Sequence, residues 1–244
     1  MHTVIPNQYF GIGDIIFTKT LVRRIANGNR IIWPVLPHFV EGLNRAYPDI
    51  TFVNFEQIPI NYERREQYTT TLKEYGDCTV LPIRFANNIL NVPYTECMSS
   101  KYALYGMDWR EWKEDAMWVR DIDKECELQV RLLNITTGAT PKDPIYCDSF
   151  SLINRFFRSD MSGCADIPHR GVELCNIDGY SLFDWAMIMQ LADSIHTVST
   201  SIIYMLELLK LKSKEVNLYV RKPDEVDFRN IDYILQKHKY VKHV

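Results

Sequence analysis

Residues Gln8–Phe39 read QYFGIGDIIFTKTLVRRIANGNRIIWPVLPHF, and this stretch decides the fold class. A tight turn, Gly11-Ile12-Gly13-Asp14, opens a segment in which Ile15, Ile16, Leu21, Val22 and Ile25 fall close to helical spacing. Asn27-Gly28-Asn29 ends it as a left-handed C-cap would. An apolar run, Arg30 to Val35, follows as a strand. His2 to Ile5 is a short strand ahead of the turn. Pro37 to Tyr47 reads as a second helix with proline in its first turn, and Thr51 to Phe55 as a third strand. Strand, helix, strand, helix, strand at this spacing predicts a parallel, Rossmann-like sheet.

Glycine-rich turns before helices commonly hold phosphates, so two phosphate motifs have to be checked. The dinucleotide fingerprint needs a third glycine three residues after the second, where this chain has Ile16. It also needs an acidic residue after the second strand, where the chain has Val35 to His38. A P-loop needs Gly-Lys-Ser/Thr, which is absent. Gly11 and Gly13 therefore read as glycines that let backbone approach a ligand, with Asp14 facing the carboxyl end of the first strand. A tight turn with Asp14 as a plain helix cap is the alternative.

Downstream, Thr79 to Ile83 reads as a strand, Tyr94 to Tyr105 as helical, and Asp121 to Leu133 as a long helix. Trp109, Trp112 and Trp118 cluster in a charged surround. Thr136 to Pro144 carries Gly and two prolines and is the best linker signal in the chain. A second βα series follows: a strand at Pro144 to Cys147, a short helix or turn at Ser151 to Arg158, and a strand at Gly171 to Cys175. Next come a helix from Ser181 to Asp193 and a strand from Ser194 to Val198. The series ends with a helix to Leu211, a strand from Glu215 to Val220 and a last helix near Asn230 to His238. Ser181 and Asp184 have capping-box spacing. The expected fold is thus α/β, with Rossmann-like domains at 1–135 and 142–244 and a central cleft between their parallel sheets.

Composition narrows the function. The net charge of -3 over 244 residues gives no global basic excess, which argues against nucleic acid as a partner. No apolar run reaches the roughly 20 residues of a transmembrane helix, and the N-terminus lacks a signal-like pattern. Six scattered cysteines without a C-x-x-C pair read as free thiols of a reducing compartment, with the cytoplasm as default location.

The second informative stretch is Asp178–Leu209, DGYSLFDWAMIMQLADSIHTVSTSIIYMLELL. A strand containing His196 and Thr197 runs into Ser199-Thr200-Ser201 and then an amphipathic helix. Hydroxyls and free N–H groups at such a place suit a diphosphate, although one of the three residues would serve as an N-cap in any helix. Glu207, further along, is placed to reach a ribose hydroxyl pair or to be a solvated charge. Ser149, Arg155 and Arg158 follow a predicted strand, and an arginine can grip phosphate with paired hydrogen bonds. Asp121-Ile122-Asp123 is a D-x-D that would hold a divalent cation beside a diphosphate, or simply cap the helix it precedes. His238 and His243 lack a metal-ligand pattern.

The segment GIGDIIFTKTLVRRI resembles the N-terminal motif of GT-B glycosyltransferases of the heptosyltransferase type. Asp178–Leu209 resembles the donor half of such enzymes, and of GT-B fucosyltransferases, where an "a-D-x-x-h-T-x-x-[ST]-[ST]" segment meets the donor diphosphate. The resemblance covers about a third of the chain in two islands. It implies a GT-B-like architecture with an acceptor-side first domain and a nucleotide-sugar-binding second domain. It implies Asp14 as the general base toward an acceptor hydroxyl. The donor-binding set would comprise Gly11, Gly13, Ser149, Arg155, Arg158, His196, Thr197, Ser199, Thr200, Ser201 and Glu207. The partners are then a nucleotide-sugar and a hydroxyl acceptor (glycan, lipid-linked sugar or protein), with no cofactor or metal required. Two other readings stay open: a noncatalytic nucleotide- or sugar-binding module, and a metal-dependent GT-A transferase using Asp121 and Asp123. An NAD-linked oxidoreductase ranks last, because the fingerprint is broken.

Overall fold

The computed structural model describes residues 2–137, 149–155, 171–219 and 231–243. The chain divides into two compact units, Met1–Val119 and Arg120–Val244.

In the first unit, strand β1 (Thr3–Pro6) leads to helix α1 (Ile12–Ala26), β2 (Arg30–Val35), α2 (Val40–Ala46) and β3 (Thr51–Asn54). These are the elements expected from Gln8–Phe39 and its flanks. Asn27 ends α1 in the left-handed region, its N–H bonded to the Arg23 carbonyl. The sheet order is β3-β2-β1-β5-β4, where β4 is Tyr68–Leu72 and β5 is Gly76–Leu81. β1, β2, β3 and β5 run parallel, and β4 pairs antiparallel with β5 as an edge hairpin. Its sequence, YTTTL, carries strand propensity in β-branched threonines rather than in apolar residues, so the hydrophobic pattern gave no sign of it. Ile5, Ile32, Ile58, Leu72, Cys78 and Val80 form a buried cluster of this sheet.

The middle of the chain wraps α1. Helix α3 (Ala86–Leu90) leads to α4 (Cys97–Ala103) and a 3-10 turn at Trp109–Lys113. Both α4 and that turn pack against α1. Thr20 Oγ1 donates to the Trp112 carbonyl at 2.7 Å and Tyr102 Oη to the Phe17 carbonyl at 2.8 Å. Trp112 and Trp118, two of the three tryptophans in the charged surround, are core residues.

The second unit starts earlier than the linker signal predicts. Helix α5 (Ile122–Thr137) packs on a 3-10 turn at Leu182–Trp185 and on α6 (Ala186–Leu191). The reason lies at its start. Buried Glu125 pairs with Arg120, whose guanidinium also bonds Gln190, so α5 belongs with the second sheet. Most of the expected linker and the strand expected at Pro144–Cys147 lie outside the described residues. Ser151 to Asn154, expected as helix or turn, is strand β6. Its polar ends are satisfied across the neighbouring strand, which lets a strand with only two apolar residues be buried. β7 (Val172–Glu173), β8 (Ser194–Val198), α7 (Ile202–Leu208), β9 (Glu215–Tyr219) and β10 (Lys239–His243) complete an all-parallel sheet of order β10-β9-β8-β6-β7. Asp184 Oδ2 accepts from the Ser181 N–H at 2.6 Å, as the capping-box spacing predicts.

The last helix expected near Asn230–His238 is absent from the described part of that range. Residues 231–234 form a turn and β10 follows. Glu207 accepts there from the Lys237 N–H at 3.1 Å and from Tyr240 Oη at 2.6 Å, contacts made by an extended segment. Both units are thus Rossmann-like α/β layers. None of the described helices is long and apolar enough to cross a membrane.

Candidate functional site

Open parallel sheets bind ligands outside the carboxyl ends of their strands, where strand order reverses. The first sheet reverses between β1 and β5, the second between β6 and β8. Each crossing gathers part of the sequence-predicted set.

At the β1–β5 crossing, the segment after β1 is stitched to the segment after β5. The Asn7 N–H donates to the Leu81 carbonyl at 2.8 Å, and the Arg84 N–H donates to the Asn7 carbonyl at 3.2 Å. Trp33 Nε1 donates to the Gln8 carbonyl at 2.9 Å. The turn then enters α1 through Gly11, whose φ is 81°. A Cβ on Gly11 would lie 2.6 Å from Asp14 Oδ2, so a glycine is needed here for conformation and for space. Asp14 sits in the first turn of α1, where the helix dipole favours a carboxylate. Its side chain is 32% exposed.

Lys101 of α4 forms an ion pair with Asp14 Oδ1. Its side chain is only 5% exposed, and its ammonium also donates to Gln8 Oε1 at 3.0 Å. Gln8 Nε2 in turn donates to the Phe10 carbonyl at 2.6 Å. Cys97, one turn before Lys101, has its thiol pKa pushed up by burial, with Lys101 pulling it down and Asp14 pushing it up. Arg84 lies over the rings of Phe10, Phe85 and Tyr9, at 4.7, 5.0 and 5.2 Å from their centroids. This group can take a proton from a hydroxyl at a held, partly exposed carboxylate. Gly11 and Gly13 lie in the turn that opens this group, Gly11 directly against the Asp14 carboxylate.

At the β6–β8 crossing, Asn154 ends β6 and Thr197 lies near the end of β8. Asn154 Nδ2 donates to Thr197 Oγ1 at 2.8 Å and to Thr200 Oγ1 at 2.9 Å. Thr197 Oγ1 donates to the Val198 carbonyl at 2.9 Å. Thr197 is fully buried and Asn154 nearly so, while Ser199, Thr200 and Ser201 are half-exposed. Ser201 makes no side-chain cap on α7, so capping does not account for the hydroxyl triplet. Arg155 directly follows Asn154 at the strand end. The cluster can offer hydroxyl and N–H donors to an anion.

Three predicted residues, Ser149, His196 and Glu207, are not part of this cluster. Ser149 precedes β6 and hydrogen-bonds Asp193 beside Lys212, at the amino edge of the sheet, while Thr197 and Thr200 lie at the carboxyl edge. His196 turns its ring to the sheet face, where Nδ1 meets Tyr219 Oη at 3.0 Å and Tyr219 stacks on His243 at 4.3 Å. Burial, then the neighbouring His243, lowers the His196 pKa. Glu207 is fully buried and clamps the C-terminal segment, so it is neither a ribose ligand nor a solvated charge. Arg158 lies outside the described residues.

Asp121 Oδ1 accepts from the Lys124 N–H at 3.1 Å, which is the capping alternative to a metal-binding D-x-D. Among the described residues no group of three or more His, Cys, Asp or Glu side chains gathers to hold a metal ion.

Asn154, Lys101 and Gln8 were missed by sequence reasoning. Asn154 lies in a segment whose sequence reads as a short helix or turn and which is strand β6. Lys101 lies 87 residues from Asp14, a distance at which one sequence carries no pairing signal.

No protein-family model matches the sequence, and no curated protein does. Among solved structures the chain is similar to the bacterial iron-containing dodecameric glycosyltransferase TibC from enterotoxigenic E. coli, at 10% identity and a TM-score of 0.46, over 89% of this chain and 57% of that one. It is also similar to a glycosyl transferase family 9 protein from Veillonella parvula, at 9% identity and a TM-score of 0.45, over 99% of this chain and 86% of that one. The chain thus spans little more than half the length of TibC.

Proposed function

We propose that the protein is a glycosyltransferase that moves a sugar from a nucleotide-sugar to a hydroxyl acceptor. The observation that carries this reading is the hydroxyl cluster at the β6–β8 crossing, where Asn154 orients Thr197 and Thr200 beside half-exposed Ser199 and Ser201. Such donors suit the two negative phosphates of a nucleoside diphosphate. Arg155 adds a cation at the same strand end.

Asp14 is the proposed general base. Its carboxylate takes the proton of the acceptor hydroxyl as that oxygen bonds to the sugar's anomeric carbon. The bond from that carbon to the diphosphate oxygen breaks, and the nucleoside diphosphate leaves with the negative charge that the hydroxyls and N–H groups stabilise. No metal is assigned a step. The free thiols Cys78, Cys97, Cys126 and Cys175 agree with a cytoplasmic location, which is part of the proposal.

A thermal-shift series with UDP, GDP, ADP and CDP, each with and without EDTA, tests the donor half. A ligand that binds only the folded state raises the melting temperature. The expected result is a rise with one nucleoside diphosphate that EDTA does not change. A rise that EDTA abolishes would favour a metal-dependent transferase, and no rise with any of the four would remove the nucleotide from the proposal.

A further inference from the structure

We propose that Lys101 and Gln8 are positioning residues that hold the Asp14 carboxylate in the geometry of a base; this rests on the reading of Asp14 given above. The argument starts from burial. Lysine ammonium groups are rarely buried unless paired, because desolvation disfavours the charge. Lys101 is 5% exposed, and its named acceptors are Asp14 Oδ1 and Gln8 Oε1. An ammonium so enclosed is poorly placed to touch an acceptor sugar itself. Asp14, at 32% exposure, is the member of the pair that meets solvent.

The support runs inward from the carboxylate. Lys101 engages Oδ1, and Oδ2 lies on the Gly11 side, where a Cβ would come within 2.6 Å of it. Gln8 is fixed at both ends: its carbonyl accepts from Trp33 at 2.9 Å, and its amide donates to the Phe10 carbonyl at 2.6 Å. Trp33 is fully buried in β2. A rigid strand thus holds Gln8, Gln8 and α4 hold Lys101, and Lys101 holds the carboxylate. Small misplacements of a reacting group cost large factors in rate, so a chain of contacts that fixes the carboxylate would act on turnover.

The test uses the full chain and two readouts. The first is nucleoside-diphosphate release from UDP-glucose, UDP-N-acetylglucosamine, GDP-mannose, GDP-fucose and ADP-glucose, with mixed oligosaccharides as acceptor. Lys101→Met should lower kcat about tenfold or more with donor KM within about twofold, and Lys101→Arg should recover most of the loss. In an Asp14→Asn background, Lys101→Met should cause no further loss, because the two residues act as one unit. Wild-type kcat in Lys101→Met, alongside an inactive Asp14→Asn, would overturn the positioning role and leave the base intact. Wild-type kcat in Asp14→Asn would overturn the base, and with it this inference.

The second readout needs no substrate. Cys97 feels both charges, so its alkylation by iodoacetamide, followed by mass spectrometry, reports on the pair. Lys101→Met should slow it and Asp14→Asn should speed it. Unchanged rates in both variants would overturn the charge pair whatever the turnover assay gives.

Discussion

At the β1–β5 crossing the groups gathered beyond the strand ends are a carboxylate, a buried ammonium, a primary amide and the Arg84 guanidinium, while at the β6–β8 crossing they are one amide and two threonine hydroxyls, followed by Arg155. Both crossings come from the same Rossmann-like topology. That topology leaves a crevice outside the strand ends at each crossing, and the side chains there decide what kind of group would suit it. A diphosphate at Asp14 would compete with the carboxylate for Lys101, whereas hydroxyls and N–H groups can donate to it without such a rival. A hydroxyl about to lose a proton needs the reverse. Under the proposed function the contrast between the crossings is a division of labour, and it can be attacked from either side.

The largest expected stability effect lies in the second unit. Glu207→Ala should lower stability by about 3 kcal/mol, because Tyr240 Oη and two backbone N–H groups lose a buried acceptor. Urea unfolding measures it. A loss near zero would mean that Glu207 does not clamp β10 and would reopen it as a ligand group. Next, Ser199→Ala combined with Thr200→Ala should weaken binding of the stabilising nucleoside diphosphate by about 2 kcal/mol, read by calorimetry. Unchanged affinity would reduce the hydroxyls to loop structure and erase the contrast between the crossings.

Gly11→Ala comes third. The positive φ and the clash with Asp14 Oδ2 should cost about 1–2 kcal/mol of stability and displace the carboxylate. A thermal melt with neutral or higher stability would remove the spatial argument for Gly11. The smallest effect concerns His196, whose lowered pKa makes the folded state bind fewer protons than the unfolded one. Its contribution to stability is present above about pH 6.5 and fades as pH falls below it. His196→Gln should therefore flatten the fall in melting temperature between pH 7.5 and pH 5.5. An equally steep fall would place the titrating group elsewhere.

Much of the first unit was legible because β1, α1 and β2 carry strong apolar runs with unambiguous stops at Gly11 and Asn27. Helix α7 and β8 were legible for the same reason. The misreadings share a cause. β4, β6 and β10 are short or edge strands whose stability comes from partners rather than from their own pattern. The start of the second unit at Arg120 depends on the Arg120–Glu125–Gln190 contact, which no linker composition announces. In the candidate site, Asp14, Thr197 and Thr200 were legible as candidates because they sit beside chain turns with recognisable spacing. Ser149 and Glu207 were misplaced because strand register and burial decide which edge or interior a residue meets. Asn154 and Lys101 become visible only once the sheet and α4 are folded.

The most direct test of the account is the initial rate of nucleoside-diphosphate release from the nucleotide-sugar panel by wild type and Asp14→Asn, each checked for an unchanged melt. The account predicts turnover of one nucleotide-sugar by the wild type and a loss of about 100-fold or more in the variant, with nucleoside-diphosphate affinity retained. Equal rates in the two proteins, or no release from any donor by a folded wild type, would contradict it.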